Sequence, residues 1–107
     1  MDETEFHRRV DDILSQLETQ LDSLDSDIDG DLSSGILTLE FANGSKVIVN
    51  RQTPNREIWV AAKSGGFHFR LVEGTWRDTR THEALNDLLS RVCSEQCGSD
   101  IAFELAH

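Results

Sequence analysis

The stretch Ile36-Leu37-Thr38-Leu39-Glu40-Phe41-Ala42-Asn43-Gly44-Ser45-Lys46-Val47-Ile48-Val49-Asn50 reads as two strands joined by a turn. Before the turn, Leu37, Leu39 and Phe41 alternate with other residues, the period of a half-buried strand. Asn43-Gly44 supplies residues that tolerate positive φ, which a tight hairpin needs. A two-residue loop at this point would set Leu39 opposite Ile48 and Phe41 opposite Lys46.

The same period extends outward from the hairpin. Upstream, Asp27-Ile28-Asp29-Gly30-Asp31-Leu32 alternates acids with Ile28 and Leu32, as a half-exposed strand would. Downstream, residues 52–56 form a connection around Pro54, the sole proline, and residues 57–62 read as a further strand closed by Ser64-Gly65-Gly66. Residues 67–71 alternate bulky apolar with polar side chains, Gly74 breaks the run, and Thr75-Trp76-Arg77 offers a short sixth strand. At both ends the period becomes helical. Phe6, Val10, Ile13, Leu17, Leu21 and Leu24 make one apolar stripe of a helix over about residues 4–24. Ala84, Leu85, Leu88, Leu89 and Val92 make another over about 81–97, with Thr81 as N-cap and Gly98 as stop.

Strands joined by short turns form an antiparallel sheet, and two bracketing helices can cover only one of its faces. The expected fold is therefore α+β: a two-layer α-β sandwich, N- and C-terminal helices on one face of a five- to six-stranded antiparallel sheet. With 107 residues, the chain has room for one such domain, spanning 1–107.

The net charge is −10, and it is concentrated. Residues 1–31 carry eleven acids against Arg8 and Arg9, whereas the rest of the chain nearly balances. Such a field repels nucleic acid and anionic membrane and favours cations or a basic protein surface. No apolar run reaches the length of a membrane span, and the acidic start is unlike a signal peptide, so a cytoplasmic location is expected.

Asp11, Glu18, Asp22 and Asp25 are spaced by seven, four and three, so they share a helix stripe beside the apolar one. Asp27, Asp29 and Asp31 extend the charge along the next strand. Like charges at this spacing repel, and a hard cation with oxygen ligands would relieve them. A purely solvated face is the competing reading. Residues 25–32 also match the front half of a calcium-binding EF-hand loop, but its twelfth position is Ile36, not glutamate. Cys93 and Cys97 lack a second ligand pair nearby and read as small apolar residues on a helix flank.

If Ile58 and Val60 face the helices, then Glu57, Trp59, Ala61 and Lys63 point to solvent, and so do His68 and Arg70 by the same parity. A tryptophan displayed there suits an interface anchor; with the opposite parity it would be core. No phosphate loop, H-E-x-x-H or G-x-S-x-G occurs, and the four histidines are scattered, so an enzyme is not expected.

The run Asn43-Gly44-Ser45-Lys46, Ile48, Asn50-Arg51-Gln52, Pro54, Ile58-Trp59, Ala61, Lys63, Gly65-Gly66 and His68-Phe69 resembles the central signature of the frataxin family. Glu5-Phe6-His7-Arg8 is similar to the opening of its bacterial, CyaY-type members. The likeness covers nearly the whole chain, apart from an uninformative C-terminal tail. It implies a frataxin-like fold and weak carboxylate binding of iron, ferrous or ferric. By position, Glu18, Asp22, Asp25, Asp27, Asp29 and Asp31 match acids of the family ridge, to which the helix stripe adds Asp11. The resemblance also implies contact with a cysteine desulfurase and the iron–sulfur scaffold, through the acidic edge and the sheet surface of Trp59, with Asn50, Arg51, His68 and Arg70 as further candidates. It implies a regulatory role in cluster assembly, in a monomer when metal is absent; metal-driven oligomers are left open. Thr19 and Ser23 stand where some relatives carry acids, which thins the ridge. A ferroxidase that stores iron and a metal-independent acidic interaction domain are the alternatives. The first would need paired Glu-x-x-His motifs of the di-iron kind, and the sequence has no such pair.

Overall fold

The computed structural model describes residues 1–24 and 27–105. Helix α1, Glu3–Ser23, begins where the Asp2 carboxylate accepts the Glu5 backbone N–H at 2.8 Å, an N-cap beside an acidic first turn. Six strands follow: β1 Asp29–Ser33, β2 Ile36–Glu40, β3 Lys46–Gln52, β4 Glu57–Ala62, β5 Gly65–Val72 and β6 Thr75–Asp78. A 3-10 turn at Thr53–Asn55 holds Pro54 between β3 and β4. Helix α2, Leu85–Cys97, closes the order and ends at Gly98, whose φ is 77°. The sheet is a meander, β1-β2-β3-β4-β5-β6, with every neighbouring pair antiparallel.

Both helices lie on one face of the sheet. Phe6, Val10, Ile13, Leu14, Leu17 and Leu21 of α1 join Leu85, Leu88, Leu89, Val92 and Cys93 of α2 in one core. The sheet contributes Leu37, Leu39, Val47, Val49, Ile58, Val60, Phe69 and Trp76 to it. Each fully buried residue of this size is worth roughly 1.5–3 kcal/mol relative to exposure. Helix α1 crosses close to the edge strand, where a Cβ on Gly30 would meet Leu21 Cδ1 at 3.1 Å. A side chain at position 30 would require Leu21 to give way by a few tenths of an ångström.

The central hairpin departs from the two-residue loop expected of it. Thr38 pairs with Ile48, Leu39 with Val47 and Glu40 with Lys46. The turn is one residue longer: Phe41 N–H donates to the Ser45 carbonyl, and Gly44, at φ 85°, closes it. Asn43 does not supply a simple turn, because its side chain is engaged. Its Oδ1 accepts Ser45 N–H and its Nδ2 donates to the Gln96 carbonyl of α2 at 2.8 Å. A one-residue change of register exchanges the two faces of a strand. The shift therefore buries Val47 and Val49 and turns Ile48 to the other side.

Three further boundaries differ from expectation. The strand expected from Asp27 begins at Asp29, and Leu32 at its far end is 36% exposed. The turn after β4 is Lys63-Ser64, with Ala62 paired to Gly65. The second helix starts at Leu85, and Thr81 is no N-cap. Asp78, only 2% exposed, accepts the N–H groups of Arg80 and Thr81, and its own N–H donates to the Glu83 carbonyl. These bonds, with His82 at φ 66° and an Arg77–Ala84 bridge, fold residues 79–84 back on β6.

Candidate functional site

The acidic edge is built by α1 and β1, which lie side by side at one margin of the sandwich. Asp11, Glu18, Asp22, Asp27, Asp29 and Asp31 are all exposed. Strand pairing sets Asp29 opposite Glu40 and Asp31 opposite Thr38, so both aspartates belong to the helix-free face, while Gly30 faces α1. Within the described residues, Glu18, Asp22, Asp27 and Asp29 make no hydrogen bond or ion pair, and Asp31 accepts only Ser33 Oγ, at 3.0 Å. Asp25 lies outside the described residues. Among those described, no three His, Cys, Asp or Glu side chains converge on one point as ligands of a metal ion would. The edge thus offers separate hard oxygen donors, suited in kind to iron, without a preformed cage.

Asp11 is a special case. It accepts Arg51 Nη2 at 2.6 Å, while Arg51 Nη1 meets His7 Nδ1 at 2.9 Å. Arginine only donates, so His7 takes this bond as an acceptor. Arg51 pairs with Ile58 and shares its helix-side parity, and the guanidinium is largely enclosed under α1. Strand parity thus separates Arg51 from Trp59, with which the sequence grouped it.

The other four candidates come together on the helix-free face. Asn50 pairs with Trp59, and Trp59 with His68. The Trp59 and His68 rings stack, centroids 4.2 Å apart and 8° from parallel. Arg70 lies two residues beyond His68, opposite Glu57. Trp59 is half-buried, not core, while His68 and Arg70 are exposed. A shallow hollow of about 230 Å³ borders the stack between Ile48, Asn50, Ala61 and Gly66.

Glu57 corrects the expectation that it points to solvent: it has the outward parity but is only 5% exposed. Its Oε1 accepts Trp59 Nε1–H and its Oε2 accepts Arg70 Nε–H, each at 2.8 Å. Burial alone would raise its carboxyl pKa. The Trp59 and Arg70 hydrogen bonds, then the charges of Arg70 and His68, outweigh burial and hold it below the ordinary 4.5. Sequence reasoning missed this role. The available signal was the Lys63-Ser64 turn, which places Glu57 across from Arg70.

The cysteines are free, with Cys93 in the core. Burial, then the neighbouring Cys97, pushes the Cys93 thiol up to about 12, so it is not the thiolate a metal would bind. Among the described residues no helix is long and apolar enough to cross a membrane.

A meander sheet covered on one face by terminal helices, with an acid-rich edge and a displayed Trp–His pair, defines the frataxin-like type of α-β sandwich. The chain belongs to the frataxin family: residues 1–99 match the frataxin-like domain. It is 46% identical to the iron-sulfur cluster assembly protein CyaY of Paraburkholderia phymatum, over 94% of this chain and 96% of that one. With the CyaY of Vibrio atlanticus the identity is 44%, over 94% and 97%. The frataxin of Psychromonas ingrahamii superposes with a TM-score of 0.91 at 30% identity, over 98% of this chain and all of that one. A trimeric yeast frataxin complexed with ferrous iron gives 0.74 at 31% identity, over 85% and 87%.

Proposed function

We propose that this protein is a non-enzymatic, iron-binding regulator of iron–sulfur cluster assembly. The observation that carries the reading is the run of exposed carboxylates along α1 and β1, of which Glu18, Asp22, Asp27 and Asp29 have no partner within the described residues, beside a helix-free sheet face bearing the Trp59–His68 stack. Family membership supplies the context: relatives are named for cluster assembly, and a yeast frataxin was solved with ferrous iron. Glu18, Asp22, Asp27, Asp29 and Asp31, with Asp25, are the iron-binding set, and they hold the ion weakly with water completing its shell. Asp11 is the lesser contributor, since Arg51 already neutralises it. Trp59, Asn50, His68 and Arg70 contact the cysteine desulfurase and its scaffold, while Arg51 braces α1 against β3. The protein acts in the cytoplasm, as a monomer when metal is absent.

The test is the rate of cluster formation in a reconstituted desulfurase–scaffold reaction, with and without this protein, at several ferrous iron concentrations. An iron-dependent change in rate is expected; an unchanged rate with the folded protein would remove the reading. A metal-independent acidic interaction domain is the second reading, favoured by the lack of a converged ligand set among the described residues. It predicts partner binding that falls with salt but ignores iron.

A further inference from the structure

On the helix-free face, a carboxylate is enclosed where solvent should reach it. Glu57 is 5% exposed in a strand whose neighbours of the same parity, Trp59 and Ala61, are half-buried and exposed. A buried anion is costly unless its oxygens are bonded, so an acid at this position needs both of its donors. It has them: indole N–H on one oxygen and guanidinium Nε–H on the other, each at 2.8 Å. Each donor is itself part of the exposed patch. Trp59 lies flat on His68, and the Arg70 side chain is 62% exposed.

We infer that Glu57 is a positioning residue: its carboxylate fixes the Trp59–His68 platform and Arg70 in one arrangement and so sets how tightly this face docks its partner. The inference rests on the proposed reading of this face as a docking surface. A half-buried tryptophan has two side-chain torsions to order on binding, and an arginine has more. Glu57 orders both beforehand by tying one to each oxygen of the same carboxylate. Arg70 is held through Nε alone among the described residues, which leaves its terminal nitrogens to meet an acceptor on the partner. The partner surface suited to this patch therefore has an apolar or aromatic group for the ring face and a carboxylate or carbonyl next to it.

The experiment pairs ¹⁵N–¹H spectra of the indole groups with affinity for the desulfurase–scaffold complex, for Glu57→Gln, Glu57→Ala and Trp59→Ala. Trp76, 1% exposed in the core, supplies an internal control in the same spectra, because its indole resonance should stay in place if the fold is kept. A glutamine keeps an acceptor for Trp59 but turns its amide NH₂, a donor, towards Arg70, whereas alanine releases both. The expected result is an indole resonance of Trp59 shifted little in Glu57→Gln and strongly in Glu57→Ala, with affinity weakened in the same order, about three- to tenfold for alanine. An unmoved Trp59 resonance in Glu57→Ala would overturn the inference. A moved resonance with unchanged affinity would overturn it too, provided Trp59→Ala does weaken binding. If Trp59→Ala binds as the natural protein does, the docking reading itself falls, and the spectra alone decide whether Glu57 holds the indole.

Discussion

Trp59 rests its ring on His68 and its N–H on Glu57, and neither contact lies in the main core. Its replacement by arginine should therefore leave the fold intact, at a stability cost of roughly 1–2 kcal/mol. Partner affinity should fall at least tenfold while iron binding, on another margin, stays unchanged. Calorimetric titrations with ferrous iron and with the desulfurase would check the split; joint loss of both would mean that Trp59 supports the fold. Glu57 makes a pH prediction. Its folded pKa is depressed, so its contribution to stability is present above about 4.5 and disappears as pH falls through the folded value. Glu57→Gln should thus cost roughly 1 kcal/mol at pH 7 in urea unfolding, and the gap from the natural protein should close as pH falls from 4.5 through the depressed folded value. A gap that widened in acid would reverse the assigned sign. The outward parity of Trp59, His68 and Arg70 was legible in the alternation of residues 57–71. The burial of Glu57 was not, because it depends on which side chain stands across the strand, and that needs the register of a turn.

At the scale of elements, sequence pattern located both helices and five strands and offered a short sixth, in most cases from an apolar period, whereas β1 is exposed along its length and was marked by its alternating acids. It failed where local chemistry competes with pattern. Asn43-Gly44 reads as a two-residue turn, yet Asn43 is drawn to the end of α2 and the loop takes an extra residue. Asp78 likewise captures the N–H groups that a helix starting at Thr81 would have used. The C-terminal tail is too short to declare itself by pattern, although Ile101, Phe103 and Leu105 alternate with exposed Ala102 and Glu104 and the tail is closely bound. Ile101 and Phe103 are 7% and 2% exposed, and the backbone N–H groups of both donate to α2 hydroxyls, those of Ser94 and Ser90. Gln20 of α1 holds Glu104 by its backbone N–H and carbonyl, so the tail bridges the two helices. A chain ended after Ser99 should lose roughly 3–5 kcal/mol, from two buried apolar side chains. Its Tm should drop by at least ~10 °C. A melt within a few degrees of the natural protein would show that the tail contributes little in solution.

For the whole molecule, the decisive property is where the charge lies. The net −10 is gathered mostly in residues 1–31, and the fold sets that segment along one margin, with α1 over the edge strand. This was legible in advance, since a helix stripe and an adjoining strand in tandem can hardly be far apart. What the sequence left open was whether the acids find cationic partners. Asp11 does, through Arg51 from the third strand, while Glu18, Asp22, Asp27 and Asp29 have none within the described residues. Self-repulsion of this sort opposes the folded state by a few tenths of a kcal/mol per neighbouring pair, and salt screens it. Replacing Asp22 and Asp29 by asparagine should therefore raise Tm by a few degrees at low ionic strength, on the order of 0.5–1 kcal/mol. That gain should vanish near 0.5 M salt, where screening acts within a few ångströms. Ferrous iron should stabilise the natural protein more than the variant, because the ion relieves the same repulsion and the variant has lost two of its ligands. Melting curves across salt and iron concentrations would measure all three effects together. A variant less stable than the natural protein at low salt would mean that these carboxylates serve the fold, and the margin would then have no strain for a cation to relieve.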